Sequence, residues 1–67
     1  MTIQVNGEPY AIDEEKVSVM QLLARLKISP SRVAVEYNLK ILPKADYEAT
    51  WLKDKDQLEI VHFVGGG

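Results

Sequence analysis

A chain of 67 residues without a single cysteine must hold its fold together by apolar burial, because neither a disulfide nor a thiolate zinc site can contribute. Ordering such a chain costs on the order of 100 kcal/mol, at about 1.5 kcal/mol per residue, and burial only just offsets this cost. We therefore expect one compact domain of regular elements. The missing thiol also means that any sulfur or acyl cargo must be attached elsewhere than on a cysteine.

Charge and hydropathy argue against several classes of partner. The net charge is −2 and the lysines and arginines are scattered, which argues against nucleic acid or an anionic membrane surface as the main partner. No apolar stretch approaches membrane-spanning length, and the N-terminus lacks a signal-peptide pattern. We expect a cytoplasmic protein.

The first twelve residues predict a β-hairpin. Residues 1–5 alternate between apolar and polar side chains, which is the pattern of a strand buried on one face. Asn6-Gly7 then predicts a tight turn, because both residues tolerate positive φ. A second short strand is expected over about residues 9–12.

The best-specified local element is a helix over about residues 19–28. Ser18 and Gln21 have the spacing of a capping box, in which each side chain bonds a backbone N–H that the first helical turn leaves free. Apolar residues then recur at i, i+3, i+4 and i+7, so one stripe of the helix faces a core. Pro30 is predicted to stop the helix.

The second half of the chain predicts further strands and one irregular connection. Residues 33–37 form a strand that buries two valines, and residues 41–42 form a short one. The polar stretch 44–56 is irregular. The order β-β-α-β-β-β predicts an α+β fold of the β-grasp type, a mixed sheet of four to five strands with one main helix packed across it. The predicted anchors of the irregular stretch are Tyr47, Trp51 and Leu52.

The last strand, predicted over residues 57–64, directs its side chains alternately to the core and to the outer face of the sheet. Alternate residues from Leu58 enter the core, whereas Val61 and Phe63 face outward beside Ala34 of a neighbouring strand. An exposed apolar patch of this kind marks interfaces, so these three residues are predicted to dock a partner. A slip of one residue in register would instead bury them.

The sequence ends in Gly65, Gly66 and Gly67, directly after this strand. Glycine loses more conformational entropy than any other residue when it is ordered and adds no packing, so folding gives no reason for the run. It is either a frayed end or a thin tether, which would reach roughly 14 Å beyond Phe63 into a narrow partner site. We expect a β-grasp domain over residues 1–63 and a flexible glycine tail over residues 64–67.

In their order and spacing, these segments resemble the ThiS family of thiamine-biosynthesis sulfur carriers, which are ubiquitin-like proteins that end in Gly-Gly. Two turns depart from the family pattern, because Leu39 and Lys55 stand where glycine is usual, and a positive φ at either would cost about 1 kcal/mol. Gly65 is one glycine more than the pattern. The segments that carry the resemblance are residues 1–5 with Asn6-Gly7, the helix over residues 17–26, Val33-Ala34-Val35-Glu36-Tyr37-Asn38 leading to Pro43, Asp56-Gln57-Leu58-Glu59-Ile60-Val61, and Gly66-Gly67.

The resemblance implies a chemistry for the tail. An E1-like adenylating enzyme of the ThiF type would use ATP to adenylate the carboxylate of Gly67, and a persulfide donor would convert it to a 1-thioglycine thiocarboxylate. A thiazole synthase of the ThiG type would receive the sulfur. Gly65 and Gly66 would let the backbone approach the nucleotide closely. The chain would be a carrier and not an enzyme, with no catalytic residue, bound cofactor or metal of its own.

Two alternatives stay open beside this interpretation. A carrier of the molybdopterin-synthase small-subunit type, or one for another sulfur pathway, would use the same tail chemistry. A non-covalent β-grasp binding module with an inert tail belongs to a different class. An autonomous enzyme is disfavoured, because the sequence has no nucleophile–base pair, phosphate loop or metal-ligand set, and the single histidine, His62, is typical of an ordinary surface residue.

Overall fold

Five strands form one mixed sheet in the computed structural model, which describes residues 1–64 of the chain. The sheet order is β2-β1-β5-β3-β4, and β1 and β5 run parallel whereas the other neighbours are antiparallel. One helix packs across it, which confirms the predicted β-grasp fold. The elements are β1 (Thr2–Val5), β2 (Glu8–Ala11), α1 (Val19–Arg25), a 3-10 helix (Pro30–Arg32), β3 (Val33–Tyr37), β4 (Lys40–Leu42), a second 3-10 helix (Lys44–Asp46) and β5 (Gln57–His62).

The helix begins where the sequence predicts and ends earlier. The Ser18 Oγ accepts a bond from the Gln21 N–H at 3.1 Å, and the Gln21 Oε1 accepts from the Ser18 N–H at 2.9 Å, which confirms the capping box. The predicted extension to Ile28 is wrong. Lys27 adopts φ 59°, and the N–H of Ile28 reaches back to the carbonyl of Leu23 at 2.9 Å, which is the Schellman ending that glycine usually provides.

The core lies between α1 and the inner face of the sheet. Tyr47 and Leu52 are buried in it, as predicted, but Trp51 is 45% exposed and the prediction that it anchors the core is wrong. Trp51 pairs with Ser18 through an isolated bridge, so neighbouring side chains alternate and Leu52 takes the inward place. The buried apolar residues are Ile3, Ile12, Val17, Val19, Leu22, Leu23, Val33, Val35, Tyr47, Leu52, Leu58 and Ile60.

A buried carboxylate joins the start of β5 to the end of β3. The side chain of Asp56 accepts bonds from the Tyr37 hydroxyl at 2.6 Å, the Asn38 amide at 3.1 Å and the Lys53 backbone N–H at 2.7 Å. Three donors compensate for the loss of water around the carboxylate. Burial, and next the hydrogen bond to Asp56, raise the pKa of Tyr37 to about 12, so the hydroxyl remains a donor throughout the neutral range.

The turns contain the strain that the sequence indicates. Asn6 and Gly7 both have positive φ, as predicted for a tight hairpin turn between β1 and β2. Leu39 and Lys55, the two residues that replace glycine, adopt φ 72° and 73°. None of the helices among residues 1–64 is long and apolar enough to cross a membrane.

Replacing Leu39 with glycine should stabilise the domain. The side chain is 84% exposed, so almost no packing is lost, and glycine removes a Cβ clash of about 1–2 kcal/mol while adding about 0.5–1 kcal/mol of unfolded-state entropy. We expect a gain of up to about 1.5 kcal/mol, measured by thermal melting. Lys40→Gly, at a neighbouring strand position without positive φ, should lower the melting temperature. A Leu39→Gly variant that melts below the parent would contradict this account of the turn.

Candidate functional site

The end of β5 leads directly toward the predicted tail. The N–H of Phe63 donates to the carbonyl of Arg32 at 2.9 Å, so pairing with the β3 side extends one residue past the strand. Val64 is almost fully exposed. Gly65, Gly66 and Gly67 lie outside the described residues, and their roles in the tail and in cargo attachment stay predictions. The boundary between a domain over residues 1–63 and a tail over residues 64–67 is likewise a prediction.

The outer face of the sheet carries the apolar surface that the sequence indicates. Ala34 and Val61 are directly opposite each other in the β3–β5 register, and Val61 and Phe63 are 56% and 53% exposed. Leu58 and Ile60, which alternate with them, are buried. The register is therefore the predicted one. The exposed Val61 and Phe63 and the half-buried Ala34 form one apolar surface, here called the outer patch. Its role in docking stays a prediction.

Two carboxylates lie next to the outer patch. Glu36 and Glu59 are opposite each other in the same register, two residues along both strands from Ala34 and Val61. Like charges at directly opposed sheet positions destabilise the fold by roughly 0.2–1 kcal/mol. Within residues 1–64, the only ion pair joins Glu14 to Arg25, so neither Glu36 nor Glu59 has a cationic partner there.

This acidic pair is the feature that sequence reasoning missed. The alternation in each strand already places Glu36 and Glu59 on the outward face. Their proximity, however, depends on the antiparallel pairing of β3 with β5, which alternation within one strand does not specify. Ile41 of β4 lies opposite Glu36 and is also exposed, so the face continues to the edge of the sheet.

On the β1 side, the end of β5 is hydrogen-bonded by a side chain instead of by a strand. The backbone N–H of Asn6 donates to the carbonyl of Leu58 at 2.9 Å. The side-chain Oδ1 of Asn6 accepts from the N–H of Ile60 at 2.6 Å, and its Nδ2 donates to the carbonyl of Ile60 at 3.2 Å. Asn6 therefore continues the pairing of β1 with β5 after β1 itself has ended. His62, two residues beyond Ile60, is exposed.

The described residues include the apolar outer patch but no cluster of metal ligands. No group of three or more His, Asp or Glu side chains that could hold a metal ion occurs in the described part of the chain. The predicted docking residues are brought together by β3 and β5. The predicted attachment residue, Gly67, lies beyond the described residues.

Comparison with known proteins points to one family. The sequence profile of the ThiS family matches residues 3–67. The sulfur carrier protein ThiS of Bacillus subtilis is 38% identical over 65 residues, which are 97% of this chain and 98% of that protein. A thiazole synthase of Magnetococcus marinus is 42% identical over 67 residues, which are all of this chain but 20% of the synthase. The crystal structure of a thiamine biosynthesis protein (ThiS) from Geobacter metallireducens superimposes with a TM-score of 0.87 at 39% identity, over 100% of both chains.

Removing one charge of the acidic pair should stabilise the protein. We expect Glu59→Gln to raise the free energy of unfolding by roughly 0.2–1 kcal/mol at low salt, because it relieves the repulsion with Glu36. The gain should shrink as salt screens the repulsion. Glu48→Gln, at an exposed loop position, makes the same change in net charge and is the matched control in denaturant titrations. Equal gains in both variants would show that net charge, and not the opposed pair, is responsible.

Proposed function

This chain belongs to the ThiS family, and we propose that it carries sulfur as a thiocarboxylate on Gly67 for thiazole formation. Its family makes it a sulfur carrier of thiamine biosynthesis and not an enzyme. The observation that carries the proposal is the family match over residues 3–67, supported by the agreement of the whole fold with a ThiS crystal structure. The match favours the thiamine pathway over a carrier of the molybdopterin-synthase type.

The chemistry requires an activated carboxylate. The α-carboxylate of Gly67 would be ionised at neutral pH and would attack the α-phosphorus of ATP, which expels pyrophosphate and forms an acyl-adenylate. A persulfide sulfur would then displace AMP from the acyl carbon, and a thiol would cleave the remaining S–S bond to release the thiocarboxylate. Because the chain has no cysteine, the persulfide and the thiol must come from partners.

Glycine is suited to this position for two reasons. Its acyl carbon is unhindered, and it has no stereocentre that could epimerise when the carboxyl group is activated. Gly65 and Gly66 leave room for close approach to a nucleotide. The proposal therefore assigns the cargo to Gly67, bearing 1-thioglycine when loaded, and assigns the use of ATP to the partner.

A thiazole synthase of the ThiG type is the proposed acceptor. In the Magnetococcus thiazole synthase, a segment similar to all of this chain belongs to the same polypeptide as the rest of the synthase. Joining two modules covalently raises the effective concentration of one at the other, which supports a working contact between them. The adenylating enzyme of the ThiF type and the persulfide donor rest on the family resemblance, and the cytoplasmic location stays a prediction.

The outer patch is the proposed docking surface for these partners. Val61 and Phe63 offer exposed apolar area on the segment that leads to the tail, and the half-buried Ala34 extends this area onto β3. Glu36 and Glu59 lie beside the patch without a cation among residues 1–64. A partner with an apolar contact flanked by arginine or lysine would relieve the repulsion and be steered to the right face.

Phe63→Asp should weaken docking without unfolding the domain. The side chain is half exposed, so the melting temperature should change little, whereas a charge in the contact should reduce affinity for the adenylating enzyme severalfold or more. Leu58→Asp is the contrast, since it introduces a charge into the core and should lose more than about 4 kcal/mol of stability. Calorimetry of binding beside thermal melting separates the two effects. Comparable destabilisation by both changes would show that Phe63 is a packing residue.

Adding one alanine after Gly67 should block loading. The extra residue moves the reactive carboxylate by about 3.5 Å and adds a Cβ at the acyl centre. Since misplacement by about 1 Å can cost about a hundredfold in rate, ATP–pyrophosphate exchange with the adenylating enzyme should fall by at least about that factor. Loading is also followed by intact mass, in which one oxygen of the parent chain is replaced by sulfur.

The parent chain ending at Gly67 and a Gly67 deletion are the controls for tether length. Melting temperatures should be the same in all three chains, because glycine has no side chain to pack against the core. Near-normal exchange by the extended chain would refute the carrier mechanism and favour a binding module with an inert tail.

A further inference from the structure

The two sides of β5 lose their partners at different residues. On the β3 side, backbone bonding continues to Phe63, whose N–H donates to Arg32. On the β1 side, the paired strand residues end with Val5 and Leu58, and the side chain of Asn6 then serves Ile60. β5 is thus an interior strand of the sheet for most of its length and becomes a one-sided edge at its end.

His62 is the first residue on that open edge. In an antiparallel pair the backbone groups of successive residues face opposite sides, so Val61 and Phe63 face β3 while Ile60 and His62 face the β1 side. β1 has already turned away at Asn6. Among residues 1–64, neither the N–H nor the C=O of His62 has a hydrogen-bond partner.

We propose that an extended segment of the adenylating partner adds to β5 here as a strand, bonding the N–H and C=O of His62 and then the N–H of Val64. The inference rests on the proposed function, because it concerns the protein that receives the tail. An extended backbone is the ligand that offers donors and acceptors at the spacing of alternate strand residues. The carboxamide of Asn6 already provides one such donor–acceptor pair to Ile60, and the partner would occupy the next position along the same line.

The place of this edge in the fold favours it over the two outer edges of the sheet. β2 and β4 also have free edges, but neither strand leads to the tail. At the end of β5, the partner would contact the side chains of Val61 and Phe63 and pair with the backbone of His62. Backbone pairing contributes affinity in such complexes, and alternate side chains contribute specificity.

Strand pairing also addresses what adenylation demands of the tail. His62 precedes Gly67 by five residues, which span roughly 17 Å when extended. Strand pairing fixes the direction of the chain and its register against the partner, in steps of about 3.3 Å per residue. The tail that carries the carboxylate would therefore start from a defined position on the partner. The activating step needs this alignment because the carboxylate must meet the α-phosphorus in line.

Proline at position 62 tests the bond without removing a bond of the fold. His62→Pro deletes an N–H that has no partner in the described structure and is tolerated where that N–H faces solvent. We expect near-parental melting and about tenfold weaker association with the adenylating enzyme, as for the loss of one buried hydrogen bond. His62→Ala removes only the side chain and should bind normally. Glu59→Pro, whose N–H faces β3, should melt far lower and serves as the control for proline itself.

Hydrogen exchange on the unmodified chain gives a second measurement, which holds even where His62→Pro folds poorly. The amides of His62 and Val64 should exchange rapidly in the free protein and become protected in the complex. Those of Val61 and Phe63, already facing β3, should change much less. This alternation distinguishes strand addition from general coverage of the surface.

The outcomes separate the strand inference from the carrier function. A chain that is adenylated normally, whose His62 amide stays unprotected in the complex or whose His62→Pro variant folds and binds like the parent, would overturn strand addition and leave the carrier function intact. Protection of His62 only by the thiazole synthase would also overturn it as stated. Failure of the unmodified chain to be adenylated would overturn the proposed function, and the strand inference with it.

Discussion

The carboxylate of Asp56 secures the point at which three strands of the sheet meet. Its side chain takes bonds from the end of β3 and from the turn before β5, and its backbone carbonyl accepts the N–H of Gln4 in β1 at 2.9 Å. Asp56 therefore fixes the register of β5 relative to its two neighbouring strands, β1 and β3. The burial of Leu58 and Ile60, and the outward direction of Val61 and Phe63, depend on that register.

β5 contributes to the core, to the outer patch and to a free backbone edge. Its inward residues fill the core beneath α1, its outward residue Val61 forms the outer patch together with Ala34 and Phe63, and its backbone becomes free on one side near His62. Such concentration suits a protein of this size, which has little surface to spare for separate core and recognition elements. Glu36 and Glu59 repel each other in the free fold, and the proposed basic partner would relieve this repulsion.

The sequence was sufficient to predict the helix and strands, but not the features that depend on unusual backbone conformations or on pairing between distant segments. Strand alternation and the Ser18–Gln21 capping box are local, so the fold, the helix start and the outward faces of Val61 and Phe63 could be predicted. Lys27 ends the helix in a conformation that its residue type does not signal. Trp51 is turned outward by a bridge to a residue far along the chain. The opposition of Glu36 to Glu59 and the free edge at His62 likewise follow from pairing between strands.

The central position of β5 has a consequence for how the molecule is made. Gln4 and Gln57 are neighbours in the sheet although most of the sequence separates them, and β1 and β3 have no direct pairing with each other. The two hairpins are therefore joined into one sheet only when β5 inserts, and contacts so distant in sequence form late and cooperatively. During synthesis, the earlier elements must wait for β5 to leave the ribosome. A molecule interrupted before that point has neither a continuous sheet nor the outer patch, so under the proposed function only molecules that have finished folding would be loaded with sulfur.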